Sequence, residues 1–388
     1  MNEEKKFQTG NILLIASAHF VHDVYSSFLS PVLPLLIKKL KLSYTLAALL
    51  TVAQNLPSLL NPLVGVIADK ISVRYLLIIA PLITAISMSF LGAAPSYTVL
   101  IILLFTMGIS ASMFHVPAPV MVKHIAGNRV GKGMSVFMLG GEIARGVGPL
   151  VILAGISLWG LEGTYRLIPF GLAASVFLFF KFKKIQISDE LKNQKTDTGL
   201  LKTFKANSKV FVNMSGILFF TLILKSALTA FLPTYLSLKG ESLWMAGASL
   251  AVLQFAGGAG TFFSGTISDK IGRKTTMMIM AVTVPILMTG FLLLSGVFIM
   301  PILVILGLFL FATNPVLLAE LLETKSDRLS FLNGIYMTLN FLIASLTTFL
   351  IGMMSDLIGM ERTYISATVL SIFSIPFILK LSNNKSRN

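Results

Sequence analysis

The sequence predicts an all-α integral membrane protein whose twelve transmembrane helices form two pseudo-symmetric bundles of six. Hydrophobic residues make up 55% of the 388 positions and charged residues only 12%, with a mean hydropathy of +0.85. Apolar runs that can cross a bilayer recur twelve times, and short motifs return about 200 residues later in the chain. A soluble domain cannot cover so much apolar surface, whereas a bilayer accepts each run of about 20 apolar residues as a helix.

The predicted spans are separated by short polar loops. They cover residues 11–36, 44–68, 75–93, 97–125, 133–159, 165–180, 210–238, 242–267, 275–295, 298–322, 329–354 and 363–379. Residues 181–209 contain no spanning run and are rich in Lys, Asp, Asn and Thr. We interpret this stretch as a cytoplasmic linker between an N-terminal bundle, 1–180, and a C-terminal bundle, 210–388.

Lysine and arginine are distributed unevenly between the two sets of loops. Of the 31 basic residues, 23 fall in the termini, the linker and the loops of one side, and six in the opposite loops. Cytoplasmic loops carry the excess of positive charge, so both termini are predicted to be cytoplasmic. Lys38, Lys39 and Lys41 lie on the other side, against this trend.

The two halves are related by an internal repeat. The motif Gly65-Val-Ile-Ala-Asp69-Lys70 recurs as Gly265-Thr-Ile-Ser-Asp269-Lys270, at an offset of 200 residues. The loop at 160–165 recurs at 359–364, and Pro34 and Gln54 match Pro233 and Gln254. Several matches near one offset indicate the duplication of a six-helix unit.

The repeated loops resemble the signature loop of the major facilitator superfamily. The residues that carry the resemblance are Gly65, Asp69, Lys70 and Arg74 in the first half and Gly265, Asp269, Lys270 and Arg273 in the second. The resemblance implies two six-helix bundles and transport by alternating access. We interpret the loops as a latch that stabilises one access state, because an aspartate can bind backbone N–H groups at a helix N-terminus. The alternative is a solvated turn.

Three further stretches resemble the fosmidomycin-resistance branch of bacterial exporters, which implies drug resistance through efflux by a drug–proton antiporter. They are His19-Phe-Val-His22-Asp23-Val-Tyr25 followed by Pro31 and Pro34, then Gly108 with Phe114-His115, and Gly140-Gly141 leading to Gly148-Pro149.

Ionisable residues inside predicted spans are the main functional candidates, because each is costly in a bilayer unless paired or wetted. In the first span His19, His22, Asp23 and Ser26 share one helical face. Two histidines beside a carboxylate favour a water-filled cavity, and we predict that Asp23 and His22 take part in proton coupling.

The fifth span carries Glu142 and Arg145 three residues apart. They form either a structural ion pair that locks the helix or part of the proton coupling, for which Glu142 is a candidate. Gly140, Ala144 and Gly148 form a stripe of small residues that favours close helix packing.

Five residues are candidates for substrate binding: His19, His115, Arg145, Lys225 and Asn314, the last at a predicted break in the tenth span. Pro117 and Pro119 should interrupt the fourth span just after His115, and the alternative for this histidine is a bond to a freed carbonyl. Lys225 is too deep to reach the interface, and a salt bridge to Asp23 or Glu142 is its alternative. Superfamily architecture implies that the first, fourth, seventh and tenth spans line the central cavity.

Several function classes are excluded by composition. The chain has no cysteine and four histidines, so we expect neither a thiolate metal site nor a cofactor. The formal charge of +15 lies in short loops, which argues against nucleic-acid binding. No Gly-x-x-x-x-Gly-Lys-Ser/Thr loop is present, which argues against an enzyme or pump driven by ATP.

The sequence therefore predicts a secondary transporter that works by alternating access, with proton-coupled efflux of a small organic molecule, either anionic or antimicrobial. An importer or exchanger of an organic anion without proton coupling is one alternative, and a non-transporting membrane sensor is another. We expect a monomer in the plasma (cytoplasmic) membrane whose partners are its substrate, protons and the lipid bilayer.

Overall fold

The structure is a computed structural model that describes residues 7–61, 73–127, 130–182, 204–205, 207–322 and 329–381. Within these ranges the secondary structure is helical and contains no β-strand. Ten helical segments of the described chain are long and apolar enough to cross a membrane, and 75–89 is a shorter apolar helix. The prediction of an all-α membrane protein is confirmed.

The chain divides into two compact units. The first contains residues 1–41 and 53–195, and the second contains residues 42–52 and 196–388. The short segment 42–52 thus belongs by sequence to the first repeat but packs within the second unit.

Among the described residues, eight α-helices lie before the linker, joined in places by short 3₁₀ turns. They are α1 (Thr9–Ser26), α2 (Leu29–Leu40), α3 (Tyr44–Asn55), α4 (Val73–Ser89), α5 (Tyr97–His115), α6 (Pro117–Ile125), α7 (Val130–Trp159) and α8 (Ile168–Phe182). Large apolar side chains, among them Ile12, Phe114, Phe137 and Phe182, form the core of the first unit.

Eight more α-helices follow in the described part of the chain after the linker. They are α9 (Ser208–Leu238), α10 (Leu243–Ile271), α11 (Arg273–Leu293), α12 (Ile299–Leu310), α13 (Thr313–Leu322), α14 (Leu329–Ile358), α15 (Met360–Ile372) and α16 (Ile375–Leu379). Phe211, Leu218, Met277 and Tyr336 lie in the core of this unit.

Several spans are broken helices. In the fourth span one helix ends at His115 and the next begins at Pro117. In the tenth span the helix is interrupted at 311–312, just before Asn314 and Pro315. Both breaks were predicted from proline, which removes a backbone donor and clashes with the preceding turn. The first span also breaks, between Ser26 and Leu29. Pro31 lies four residues after Ser27, and its ring clashes with the carbonyl of that residue, so this break also has a proline behind it, although it was not predicted.

Two ion pairs occupy equivalent positions in the two repeats. Lys39 Nζ lies 2.8 Å from Glu162 Oε1, and Lys239 Nζ lies 2.9 Å from Glu361 Oε2. The hydrogen bond to Glu361 raises the pKa of Lys239. Lys39 also donates to the carbonyl of Gly92 at 2.9 Å. These contacts give Lys39, in the last turn of α2, a carboxylate and a carbonyl to bind on the side where the predicted charge distribution disfavours lysine.

The small-residue stripe of the fifth span packs where the sequence predicts a close helix contact. A Cβ on Gly140 would lie 2.5 Å from the carbonyl oxygen of Ala16, and one on Gly148 would lie 2.5 Å from that of Val24. Ala144 between them is fully buried. Helix α7 therefore lies directly on the backbone of α1, which places the polar residues of both helices side by side.

Candidate functional site

The candidate site is built around the carboxylate of Asp23 on α1. This side chain is only 4% exposed, although aspartate is rarely buried without partners. Helix α5 ends beside it and α7 packs along it, so residues from three helices meet there. Each partner of the carboxylate carries, or can carry, a positive charge.

Three imidazoles and one guanidinium surround Asp23. The Nε2 atom of His19 lies 3.2 Å from Oδ2, and Nδ1 of His22 lies 3.0 Å from Oδ1. From the end of α5, Nε2 of His115 lies 3.3 Å from Oδ1. From α7, Nε of Arg145 lies 3.7 Å from Oδ2. The structure thus brings together the histidines and aspartate that the helical spacing places on one face, and adds His115 and Arg145.

The hydrogen bond on the far side of His19 determines its tautomer. Its Nδ1 atom lies 2.8 Å from the carbonyl oxygen of Phe137. A carbonyl only accepts, so Nδ1 carries a hydrogen. Nε2 then either carries a second proton or turns a lone pair toward Asp23, with which it forms no well-aligned hydrogen bond. A proton on one of the two groups makes the contact favourable.

Aromatic rings enclose the buried imidazoles. The ring of His19 stacks on Phe137 with centroids 4.2 Å apart, and the ring of His22 stacks on Phe114 with centroids 5.0 Å apart. Both phenylalanines are buried. The sequence did not predict that either ring packs on the site: Phe114 was noted only as part of the Phe114-His115 stretch, and Phe137 carried no signal.

Exposure distinguishes the three histidines. The side chains of His19 and His22 are 3% and 0% exposed, whereas that of His115 is 40% exposed. His22 Nε2 is buried and has no partner among the described residues. His115 is therefore the most exposed of the three imidazoles that contact the carboxylate. The expected alternative, a histidine bonded to a carbonyl freed by the helix break, is not the contact observed.

Gly141 makes room for this arrangement. A Cβ at this position would lie 2.5 Å from Cε1 and 2.6 Å from Nε2 of His19, and 3.1 Å from Oδ2 of Asp23. Real Cβ atoms do not approach other atoms so closely, so a larger residue on α7 would displace the histidine ring.

Arg145 connects Asp23 to Glu142. Its Nη1 atom lies 3.1 Å from Oε1 of Glu142, while its Nε faces Asp23. The two carboxylates and one guanidinium leave one surplus negative charge when the imidazoles are neutral. A surplus charge inside a membrane protein is costly. One proton on the cluster removes it.

A metal ion is the other cation to consider. His19, Asp23 and His115 each offer one ligand atom, and these atoms lie within 4.8 Å of one another. The Arg145 guanidinium already brings a fixed positive charge to the same carboxylate. That charge repels a dication, so we assign no metal to the site.

The candidates of the second half lie in the second unit. The ammonium of Lys225 on α9 lies 4.2 Å above the ring centroid of Phe311, at the break between α12 and α13. Desolvated cation–π contacts of this kind are stabilising. The backbone carbonyl of Asn314 accepts a hydrogen bond from the Tyr336 hydroxyl at 3.2 Å.

The second signature loop joins α10 to α11. Asp269 Oδ1 lies 2.6 Å from Nη1 of Arg273, which also donates to the hydroxyl of Ser268. A Cβ on Gly265 would meet no described atom within 4 Å. In the first signature loop Gly65, Asp69 and Lys70 lie outside the described residues, as does the side chain of Arg74.

A family model described as "Major Facilitator Superfamily" matches residues 15–346. The chain belongs to the major facilitator superfamily. As a major facilitator protein it has the twelve-helix fold that the repeat predicts, and it is a secondary transporter in a membrane.

Two relatives are similar to this major facilitator chain over nearly its whole length. The fosmidomycin resistance protein of Escherichia coli (strain K12) is 25% identical over 358 residues, which cover 90% of this chain and 87% of the relative. An uncharacterized MFS-type transporter of Bacillus subtilis (strain 168) is 21% identical over 392 residues, which cover 97% of this chain and 94% of the relative. The resemblance to the fosmidomycin-resistance branch is thereby confirmed.

Solved structures of low sequence identity share the fold. A bacterial homolog of the human lysosomal transporter Spinster has a TM-score of 0.81 at 13% identity, covering 96% of each chain. A D-xylose–proton symporter has a TM-score of 0.75 at 15% identity, covering 98% of this chain and all of the other.

Proposed function

We propose that this major facilitator protein exports a small organic anion in exchange for protons, and that the Asp23 cluster carries the proton. One observation supports this most strongly: a buried carboxylate contacts three imidazoles in a cluster that is neutral only when it binds one proton. Asp23, His22 and Glu142 are the proposed proton-coupling residues. The name of the Escherichia coli relative makes fosmidomycin the first compound to test.

The basic side chains supply the proposed substrate contacts. Arg145 is 35% exposed along its side chain, and its guanidinium offers a planar set of donors to a carboxylate or phosphonate group. We propose that Arg145 in the first unit, and Lys225 and Asn314 in the second, contact the substrate anion. His19 and His115, the other two substrate candidates of the sequence, lie on Asp23, and we propose that they serve the proton cluster. An arriving anion competes with Asp23 for Arg145, which couples substrate binding to the charge of the cluster.

Proteoliposomes under an imposed pH gradient test the coupling. Wild-type protein should accumulate fosmidomycin, or the strongest ligand from a thermal-shift screen of organic anions and antimicrobials. Asp23→Asn removes the titratable carboxylate and keeps its shape. Gradient-driven transport by this variant at the wild-type rate would refute the proton role.

An importer or exchanger of an organic anion without proton coupling is the second candidate. It is favoured by the fixed charges of Arg145 and Lys225, neither of which needs a proton to bind an anion. Counter-flow of labelled substrate that is equally fast with and without a pH gradient, and equally fast in Asp23→Asn, would select this function.

The arrangement in the membrane follows from the same proposal. We propose a monomer in the bacterial inner membrane with both termini in the cytoplasm, because the basic residues are concentrated in those segments. The signature loops at 65–74 and 265–274 would then act on the cytoplasmic side as latches of one access state. Protease accessibility of a C-terminal tag in right-side-out vesicles tests the orientation.

A further inference from the structure

The first turn of α3 is already capped by its own sequence. Ser43 lies just before the helix, and its Oγ accepts a hydrogen bond from the N–H of Leu46 at 3.2 Å. The equivalent helix of the second repeat, α10, begins in the same way, with Ser242 Oγ accepting from Met245 at 3.1 Å. A serine N-cap satisfies the exposed donors of a helix start without help from another helix.

Asp356 adds a second and distant set of contacts to the same turn. It lies near the C-terminal end of α14, and its Oδ1 accepts a hydrogen bond from the N–H of Tyr44 at 2.7 Å. Its Oδ2 accepts from the N–H of Thr45 at 2.8 Å and from the Thr45 hydroxyl at 2.5 Å. The positive end of the helix dipole strengthens these bonds. The carboxylate therefore binds α3 to α14 rather than merely starting α3.

Small residues support this contact one turn before Asp356 on α14. A Cβ on Gly352 would lie 2.5 Å from the Cβ of Ala48 and 2.6 Å from the carbonyl oxygen of Tyr44. Ala48 is fully buried. The two helices thus touch directly, and the Asp356 carboxylate lies at the aqueous end of the contact, where it is exposed.

The repeat does not duplicate this device. The position equivalent to Asp356 at the offset of 199 residues is Ser157, so one half of the protein alone carries the carboxylate. The segment it binds, 42–52, belongs to the first repeat by sequence and to the second unit by packing. When the two repeats rock against each other, a contact between segments of different repeats can form in one access state and break in the other.

We propose that Asp356 is a positioning residue of the transport cycle. Its carboxylate holds the first turns of α3 against α14 in one access state, on the membrane face opposite the chain termini, and releases them in the other. The contact therefore sets the balance between the two states, independently of the substrate and of the proton site.

The absence of cysteine from the chain allows a direct test. Ala48→Cys places the only thiol in the buried face between α3 and α14. Its alkylation rate with a membrane-impermeant maleimide, in proteoliposomes without substrate or pH gradient, measures how often the helices separate. Asp356→Ala and Asp356→Asn are compared in this background. Glu361→Gln is the matched control, since Glu361 is an exposed carboxylate near the same helix ends that binds Lys239.

We expect Asp356→Ala to raise the alkylation rate on the order of tenfold. Asp356→Asn should give a smaller rise, because one acceptor oxygen remains, and Glu361→Gln should match the parent. Equal rates in Asp356→Ala and the parent would overturn the proposal, and so would a lower unfolding temperature with an unchanged rate, which is the signature of a helix cap alone. If Asp356→Ala does not fold, Thr45→Val removes one of the three bonds and must still raise the rate.

Discussion

The Nε2 atom of His19 lies 3.2 Å from Oδ2 of Asp23, one turn away on α1, while Nδ1 of the same ring is bound to the carbonyl of Phe137. The carbonyl fixes the tautomer, so the contact with Asp23 is favourable only with a proton on one of the two groups. Any change that moves the ring or removes the proton should therefore alter transport.

Gly141→Ala tests the geometry of this pair. The added Cβ would lie 2.5 Å from His19 and should displace its ring. Because small misplacements of reacting groups are costly, we expect transport to fall by about tenfold or more. Gly334→Ala is the control, since a Cβ there meets no described atom within 4 Å. Equal transport rates in the two variants would contradict the role of the ring position.

His115→Gln tests the path of the proton. His115 is the exposed histidine of the cluster, and glutamine keeps hydrogen bonding but cannot take up a proton. We expect transport driven by a pH gradient to slow by about tenfold, with the Kd for substrate changed by less than about threefold. Parallel losses in binding and transport would instead assign His115 to the substrate.

Arg145 and Glu142 are expected to depend on each other. Arg145→Gln leaves two carboxylates without their cation and should lower the free energy of unfolding by about 1–2 kcal/mol, less than for a fully buried pair because Arg145 is partly exposed. The double variant Glu142→Gln/Arg145→Gln should recover part of this loss. Thermal unfolding in detergent completes the double-mutant cycle, and strictly additive losses would show that the pair is not coupled.

We expect Lys225 to bind the substrate through its positive charge, and Phe311 to hold the Lys225 ammonium in position. Lys225→Met should weaken the binding of an organic anion about tenfold or more, whereas Phe311→Leu, which removes the cation–π contact, should have a smaller effect. Binding titrations of the purified variants measure both. Loss of affinity in Phe311→Leu alone would assign the ring, not the ammonium, to the substrate.

Periodicity and composition predicted the fold because a bilayer imposes long apolar helices and the duplication repeats them. The face shared by His19, His22 and Asp23 followed from spacing along one helix. The contacts of His115 and Arg145 with Asp23 did not follow from spacing, because they depend on how α5 and α7 pack against α1. Gly140 and Gly148 signalled close packing, but spacing does not reveal that Gly141 faces the imidazole of His19.

The contacts of Asp356 with α3 could not be predicted from the sequence either. Its partners Tyr44 and Thr45 are about 310 residues away, and a lone aspartate at a helix end is typical of an interface position. Lys39 is the opposite case. The charge distribution disfavours a lysine on its side of the membrane, and the structure gives it a partner there, Glu162.

Proton movement during transport tests the central claim most directly. Weakly buffered proteoliposomes that contain a pH-sensitive dye report protons moved when fosmidomycin, or the strongest ligand from the screen, is added to one side. Wild-type protein should move protons against the substrate, and Asp23→Asn should bind the substrate without moving protons. Proton movement by Asp23→Asn at the wild-type rate, or transport by the wild type without proton movement, would contradict the assignment of the Asp23 cluster as the proton carrier.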